Sequence, residues 1–195
     1  MSEVRRCWDS ADPAYVEYHD LEWGRPVTDE RGLYERLCLE GFQSGLSWLT
    51  ILRKRAAFRA AFAGFDPEEV AEFGPRDVER LLGDAGIVRH RGKIEAAIAN
   101  ARATLELRQA GTPLPEVVWS YRRVAAAPRT PADWRASTPE SVALSKSLRA
   151  AGFRFVGPTT VYAAMQALGL VNDHLEHCHV RDACERERSR LSRPG

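Results

Sequence analysis

The chain has 195 residues, of which 44% are hydrophobic, and its 28 basic and 27 acidic side chains leave a formal net charge of +1. That is the size of one domain at roughly 100–200 residues each. The composition excludes a disordered, collagenous or membrane-spanning chain, because no run approaches the roughly 20 apolar residues of a bilayer span. The near-neutral balance gives no global sign of nucleic acid, so such a partner would need a local basic patch. The opening MSEVRRCWDSADP lacks the apolar core of a secretory signal, and a cytoplasmic location is expected.

In chain order, no strand pattern persists and helix punctuation recurs. Leu33, Leu37 and Cys38 mark an apolar helix that stops before Gly41. Ser47 reads as the cap of a helix reaching Phe62, with Leu49, Leu52, Phe58 and Phe62 at helical spacing. Asp66-Pro67-Glu68-Glu69 and Gly74-Pro75 each open a short helix. A long helix is predicted from about Gly92 to Ala110, stopping at Gly111. Gly111 to Pro139 is the most loop-like interior region. Thr138-Pro139 starts a helix ending near Gly152, and Gly157-Pro158 starts one ending near Gly169. The expectation is an all-α fold: a single domain over residues 1–180 and a polar, flexible tail over 181–195.

Four groups of residues could carry chemistry. Cys7 and His19 lie near one end, and His174 and Cys178 near the other, the latter pair spaced to face one way on a helical turn. Two thiolates and two imidazoles suit a closed, tetrahedral zinc site that would staple the termini together. Isolated buried thiols remain the plainer reading, and His177, His179 and Cys184 are alternative ligands. The second group is aromatic: Trp8, Tyr15, Tyr18, Trp23 and Trp48 follow no single helical stripe and are interleaved with Asp12, His19, Asp20 and Glu22. Such rings can wall a pocket for a planar ligand. Third, Glu40 sits at the C-terminal end of its helix, where the macrodipole disfavours an acid. Fourth, Gly86 and Gly92 bracket a turn carrying Arg89, His90, Arg91 and Lys93, a candidate phosphate-binding hairpin. Arg53, Lys54, Arg55 and Arg59 form a second basic cluster that reads as a solvated helix face.

These residues resemble the bacterial 3-methyladenine DNA glycosylase I family. The motifs that carry the resemblance are Asp12-Pro13-x-Tyr15-x-x-Tyr18-His19-Asp20-x-Glu22-Trp23-Gly24, then Leu39-Glu40-Gly41 through Gly45-Leu46-Ser47-Trp48. They continue with Asp84 to Ile94, Phe153-x-Phe155-Val156-Gly157 and Gly169 to His174, in order from about residue 6 to 178. The resemblance implies a helix-hairpin-helix DNA glycosylase domain, with the hairpin at Gly86 to Lys93 and a structural zinc on Cys7, His19, His174 and Cys178. It implies a base-reading Glu40, an aromatic pocket of Trp8, Tyr15, Tyr18, Trp23 and Trp48, and Leu46 as the plug for a flipped base's gap. The family usually has one residue between the first ligand cysteine and the tryptophan. Here Cys7 and Trp8 are adjacent, so a shifted backbone or a substitute ligand is expected. The implied partner is double-stranded DNA containing alkylated adenine, with no membrane and no obligate protein partner. The alternatives are a glycosylase for another alkylated purine and a zinc-containing helix-hairpin-helix module that binds DNA without catalysis.

Overall fold

The computed structural model describes residues 4–191, and among them ten α-helices and no strand occur. Helix α1 (Pro13–Leu21) begins at Asp12, whose carboxylate accepts from the amides of Ala14 and Tyr15. Helix α2 (Glu30–Gln43) is capped by Asp29. Helix α3 (Trp48–Ala61) is capped by Ser47, as its sequence predicts. The short α4 (Pro67–Ala71) and α5 (Pro75–Gly83) each start on a proline, whose fixed φ and missing N–H suit a first helical turn. Helix α6 (Arg91–Gln109) is the longest, α7 (Leu114–Trp119) is short, and α8 (Pro139–Ala150), α9 (Pro158–Ala167) and α10 (Arg181–Arg190) complete the set.

Helix α2 is the centre of the core. Its Leu33, Tyr34, Leu37, Leu39 and Phe42 are buried, and α3, α6, α7 and α9 pack around it. A helix buried on most of its surface cannot present a single apolar stripe, so its sequence reads less clearly than its position. The Tyr34 hydroxyl resolves its own burial by donating to Ala97 O of α6 at 2.9 Å. Between α5 and α6 the chain makes the expected hairpin. Buried Ile87 anchors it, and Asp84 Oδ1 accepts from the Gly86 amide at 2.7 Å.

Three local expectations are corrected. The loop-like region from Gly111 contains α7, whose buried Leu114 and Val118 and the Trp119 indole bonded to Val27 O dock it on the core. His174 and Cys178 share a non-helical turn, closed by the Cys178 amide on Leu175 O at 2.9 Å, instead of a helical one. The tail expected to be flexible over 181–195 forms α10 as far as Arg190, and residues 192–195 lie outside the described ones. Its docking uses no apolar stripe. Buried Arg188 donates to Gly169 O, Arg123 O and Leu170 O at 2.7–3.1 Å, and pairs with Glu185. Cys184 is fully buried beside it on the same helix. A guanidinium whose three nitrogens all find partners is an acceptable core group, but it leaves the helix looking polar in sequence.

Candidate functional site

The two chain ends meet first in space. The loop before α1 brings Cys7, and α1 brings His19, against the turn that carries His174 and Cys178. Cys7 Sγ is 3.3 Å from His174 Nδ1, and Cys178 Sγ is 3.4 Å from the same nitrogen and 3.6 Å from His19 Nε2. All four side chains are buried, and their ligand atoms lie within 4.8 Å of one another. A tetrahedral zinc with bonds of about 2.3 Å to sulfur and 2.0–2.1 Å to nitrogen sets sulfur–nitrogen edges of about 3.5 Å. The donor set therefore fits such an ion in kind, number and spacing. The outer nitrogens of both imidazoles are also fixed, His19 Nδ1 on Asp20 Oδ1 at 2.7 Å and His174 Nε2 on Trp23 O at 2.8 Å. That arrangement sets the ring orientation a ligand histidine needs. Hydrogen bonding from Cys7, with help from both imidazoles, pulls the Cys178 thiol below its ordinary range.

The adjacency of Cys7 and Trp8 does not displace Cys7. Its sulfur also accepts from the Leu175 amide at 3.3 Å, while the Trp8 ring lies edge-on to His19. Among the alternative ligands, His177 is exposed, His179 bonds Asp20 instead, and Cys184 lies on Trp23 O at 4.0 Å. Gly24 is required here. Its φ is +81°, and an added Cβ would fall 2.9 Å from the His174 ring.

A chain of rings leads from this cluster to Glu40. Trp23 meets His174 edge-on, Trp8 meets Trp23 at 5.1 Å, Tyr15 meets Trp8 at 5.2 Å, Tyr15 stacks on Tyr18, and Tyr18 meets Trp48 at 5.3 Å. The five predicted pocket aromatics are thus contiguous, but they serve two neighbourhoods. Trp23 packs on the imidazoles, Trp8 bridges, and Tyr15, Tyr18 and Trp48 surround the carboxylate end. The Trp48 indole Nε1 is buried without a hydrogen-bond partner. Such a group is a natural contact for a bound polar edge.

Glu40 is 5% exposed on the last turn of α2. Burial pushes its carboxyl up to about 7, against a smaller downward pull from Arg36. Arg36 was not singled out from sequence, yet it organises the site. Its guanidinium lies 4.8 Å from the Trp48 ring centre and 5.3 Å from that of Tyr18, and Nη1 donates to the Tyr18 hydroxyl at 3.2 Å. It stands 3.9 Å from Glu40 and 3.8 Å from Glu22. The available signal was its position four residues before Glu40, which puts both on one helix face.

Leu46 is 43% exposed, on the turn between α2 and α3. On the hairpin, Arg89 is exposed, while Arg91 is paired with Glu79 and Glu95. His90 caps α6 by accepting from the Lys93 amide, and Gly92 follows in the first turn. The expectation that Lys93 meets DNA is corrected. It is 8% exposed, and its ammonium donates to Phe42 O at 2.9 Å and Ser44 O at 2.6 Å, so it has turned inward to hold the α2–α3 turn. The basic cluster on α3 is tied up as well: Arg53 on Asp12, Lys54 on Ala85 O, Arg55 on Glu22 and Arg59 on Glu35.

Comparison with known proteins places this geometry. The methyladenine glycosylase family model matches residues 8–182. The chain is 52% identical over 179 residues to DNA-3-methyladenine glycosylase 1 of Escherichia coli, covering 90% of this chain and 96% of the relative. A crystal structure of 3-methyladenine DNA glycosylase I superposes with a TM-score of 0.87 at 50% identity, over 90% of this chain and 98% of the other. The Staphylococcus aureus 3-methyladenine DNA glycosylase I, solved for the structural basis of 3-methyladenine recognition, superposes with a TM-score of 0.84 at 38% identity, over 88% and 93%. This buried carboxylate among rings, beside a four-donor cluster joining the chain ends, therefore sits in a member of the methyladenine glycosylase family.

Proposed function

We propose that the chain is a monofunctional DNA glycosylase that hydrolyses the N-glycosidic bond of 3-methyladenine in double-stranded DNA and leaves an abasic site. The observation that carries this reading is Glu40, a carboxyl buried among rings with a single nearby cation and an ionisation near neutrality. A buried carboxylate is costly unless paired. An alkylated adenine is cationic while still attached to its sugar, so it can supply the missing charge, and neutral adenine cannot. Discrimination then comes from the carboxylate, and the rings of Tyr15, Tyr18, Trp48 and Trp8 add cation–π attraction for the charged base.

The target base must leave the stack before it is read. Exposed Leu46 fills the gap, Glu40 accepts hydrogen bonds from the base edge, and the base sits against the rings. The N9–C1′ bond of the cationic nucleotide is already weak. As it breaks, the bonding pair stays with the base, which leaves as neutral 3-methyladenine. Water adds to C1′ and loses its proton to solvent. On the hairpin, Arg89 and the first amides of α6 at Arg91 and Gly92, with His90, receive a backbone phosphate. The four-donor cluster of Cys7, His19, His174 and Cys178 holds a structural zinc, which when bound supplies a cross-link between the chain ends. The setting for such a substrate is the cytoplasm.

The test is incubation with methylated duplex DNA and chromatography of the released bases. 3-Methyladenine is the expected product, released slowly or not at all by Glu40→Gln. Release of no base rejects the activity, 7-methylguanine as the main product rejects the specificity, and full single-turnover excision by Glu40→Gln rejects the role of Glu40.

A further inference from the structure

Two large apolar side chains stand out from the surface around the Glu40 end of the molecule. One is Leu46, and the other is Phe155, which is 41% exposed on the loop between α8 and α9. Phe155 has φ of +55°. An L-residue with a bulky side chain adopts that conformation only at an energetic cost, and it persists where the surroundings over-determine it.

The surroundings here do so. Buried Asn100 grips Arg154 from both sides of its peptide, its Oδ1 accepting from Arg154 N at 2.7 Å and its Nδ2 donating to Arg154 O at 3.2 Å. On the far side, buried Ser145 donates to Val156 O at 2.6 Å. With both neighbours pinned, Phe155 cannot relax, and its phenyl is held outward between two functional elements. On one side is α2, where a Cβ added to Gly41, the residue after Glu40, would meet Phe155 Cβ at 3.2 Å. On the other is the hairpin, where the His90 ring meets the phenyl edge-on at 6.2 Å.

The Leu46 turn is held in the same manner, by the Lys93 ammonium on Phe42 O and Ser44 O. Lys93 and Asn100 are both on α6, seven residues apart and therefore on one face. One helix, the one the hairpin feeds into, thus fixes the turns that present both exposed apolar groups. We infer that Phe155 is a second duplex-contacting residue, whose ring stacks on a base beside the vacated position while Leu46 fills it. Lys93 and Asn100 are the positioning residues that hold the pair in register with the hairpin. This rests on the reading of the chain as a DNA glycosylase.

The experiment compares the full-length chain with Phe155→Gly and Phe155→Trp. It measures thermal midpoint, affinity for free 3-methyladenine, affinity for a duplex containing a tetrahydrofuran abasic analogue, and excision from methylated duplex. Phe155→Gly should keep or raise the thermal midpoint, because glycine adopts the positive φ freely, and should bind free base as the parent does. Its abasic-duplex affinity and its excision should fall roughly tenfold, the scale of one lost aromatic–base stack, and Phe155→Trp should restore both. Unchanged duplex affinity in Phe155→Gly overturns the proposal. So does a loss of free-base affinity in step with excision, which marks a purely structural role. A parent that releases no methylated base, yet loses abasic-duplex affinity on Phe155→Gly, retires the glycosylase reading and keeps the contact. A parent that excises normally, with Phe155→Gly unchanged in affinity, retires the contact alone.

Discussion

Glu40 carries its pH dependence in its surroundings. The folded protein holds this carboxyl's proton up to about pH 7, whereas an ordinary glutamate near 4.5 has lost it. Between those values the folded state binds the extra proton, so stability contributed by this group falls as pH rises through the window. Glu40→Gln, which cannot ionise, should therefore gain on the parent as pH rises, by on the order of 1–3 kcal/mol at pH 8 and little at pH 4.5, read as denaturation midpoints at each pH. On the proposed role of Glu40 catalysis runs the other way, because there the carboxylate is the form that reads a cationic base. The acid limb of kcat/KM, which reports the free protein, should lie near pH 7. Arg36 is the cation that pulls the group down, and Arg36→Met should move that limb to higher pH. An unmoved limb would separate Glu40 from the titration. Tyr15 and Tyr18, the other ionisable groups facing it, are themselves pushed above their ordinary range by burial and stay neutral throughout.

At the scale of elements, α10 depends heavily on one polar side chain, Arg188. Arg188→Met removes the donors to three backbone carbonyls in one step; Gly169 O and Arg123 O then lose the guanidinium, while Leu170 O keeps the Arg123 amide at 2.9 Å. A loss of about 2–4 kcal/mol is expected, with faster amide exchange first in α10 and the end of α9. A uniform change across all helices would point to global unfolding instead. Helices with a capping side chain or a leading proline, such as α3, α4, α5, α8 and α9, were legible in sequence because their start signals are local. So were the four metal-type donors, which are rare residue types here, and Glu40, an acid at the disfavoured end of its helix. Three features were not legible, each for a physical reason. Helix α10 docks through a guanidinium and a thiol, so it carries no apolar period. Arg36 looks like any surface arginine until the rings on either side are known. Lys93 looks like a phosphate contact because it sits in a basic hairpin, and only the carbonyls 49 and 51 residues earlier reveal that it turns inward.

At the scale of the whole molecule, the donor cluster joins the first and last parts of the chain, and the loop before α1 has few other ties to it. The His179 amide on Arg5 O and the Leu175 amide on Cys7 Sγ are two of them. With zinc bound, elemental analysis should find one ion per chain. It should be lost in the double substitution His174→Ala/Cys178→Ala, and the thermal midpoint should drop in that variant and on chelation. Helices α2, α3, α6 and α9 should keep their far-ultraviolet signature at low temperature, because α3, α6 and α9 pack on α2 and none of the four supplies a donor. Full zinc occupancy in the double variant would reject these ligands. No helix among the described residues is long and apolar enough to cross a membrane.

The same division of the cluster has a consequence for how the protein is made. A ribosome delivers Cys7 and His19 first, as half a donor set with one thiol and one imidazole. The other half follows after another 155 residues, counted from His19 to His174, which at ~5–20 residues per second is a wait of roughly 8–30 s. Through that interval the α2–α6 core can assemble while the N-terminal thiol stands open to oxidants and stray metal. The last knot in this fold is tied only once His174 and Cys178 have been made, and Cys7 is the residue that must survive until then.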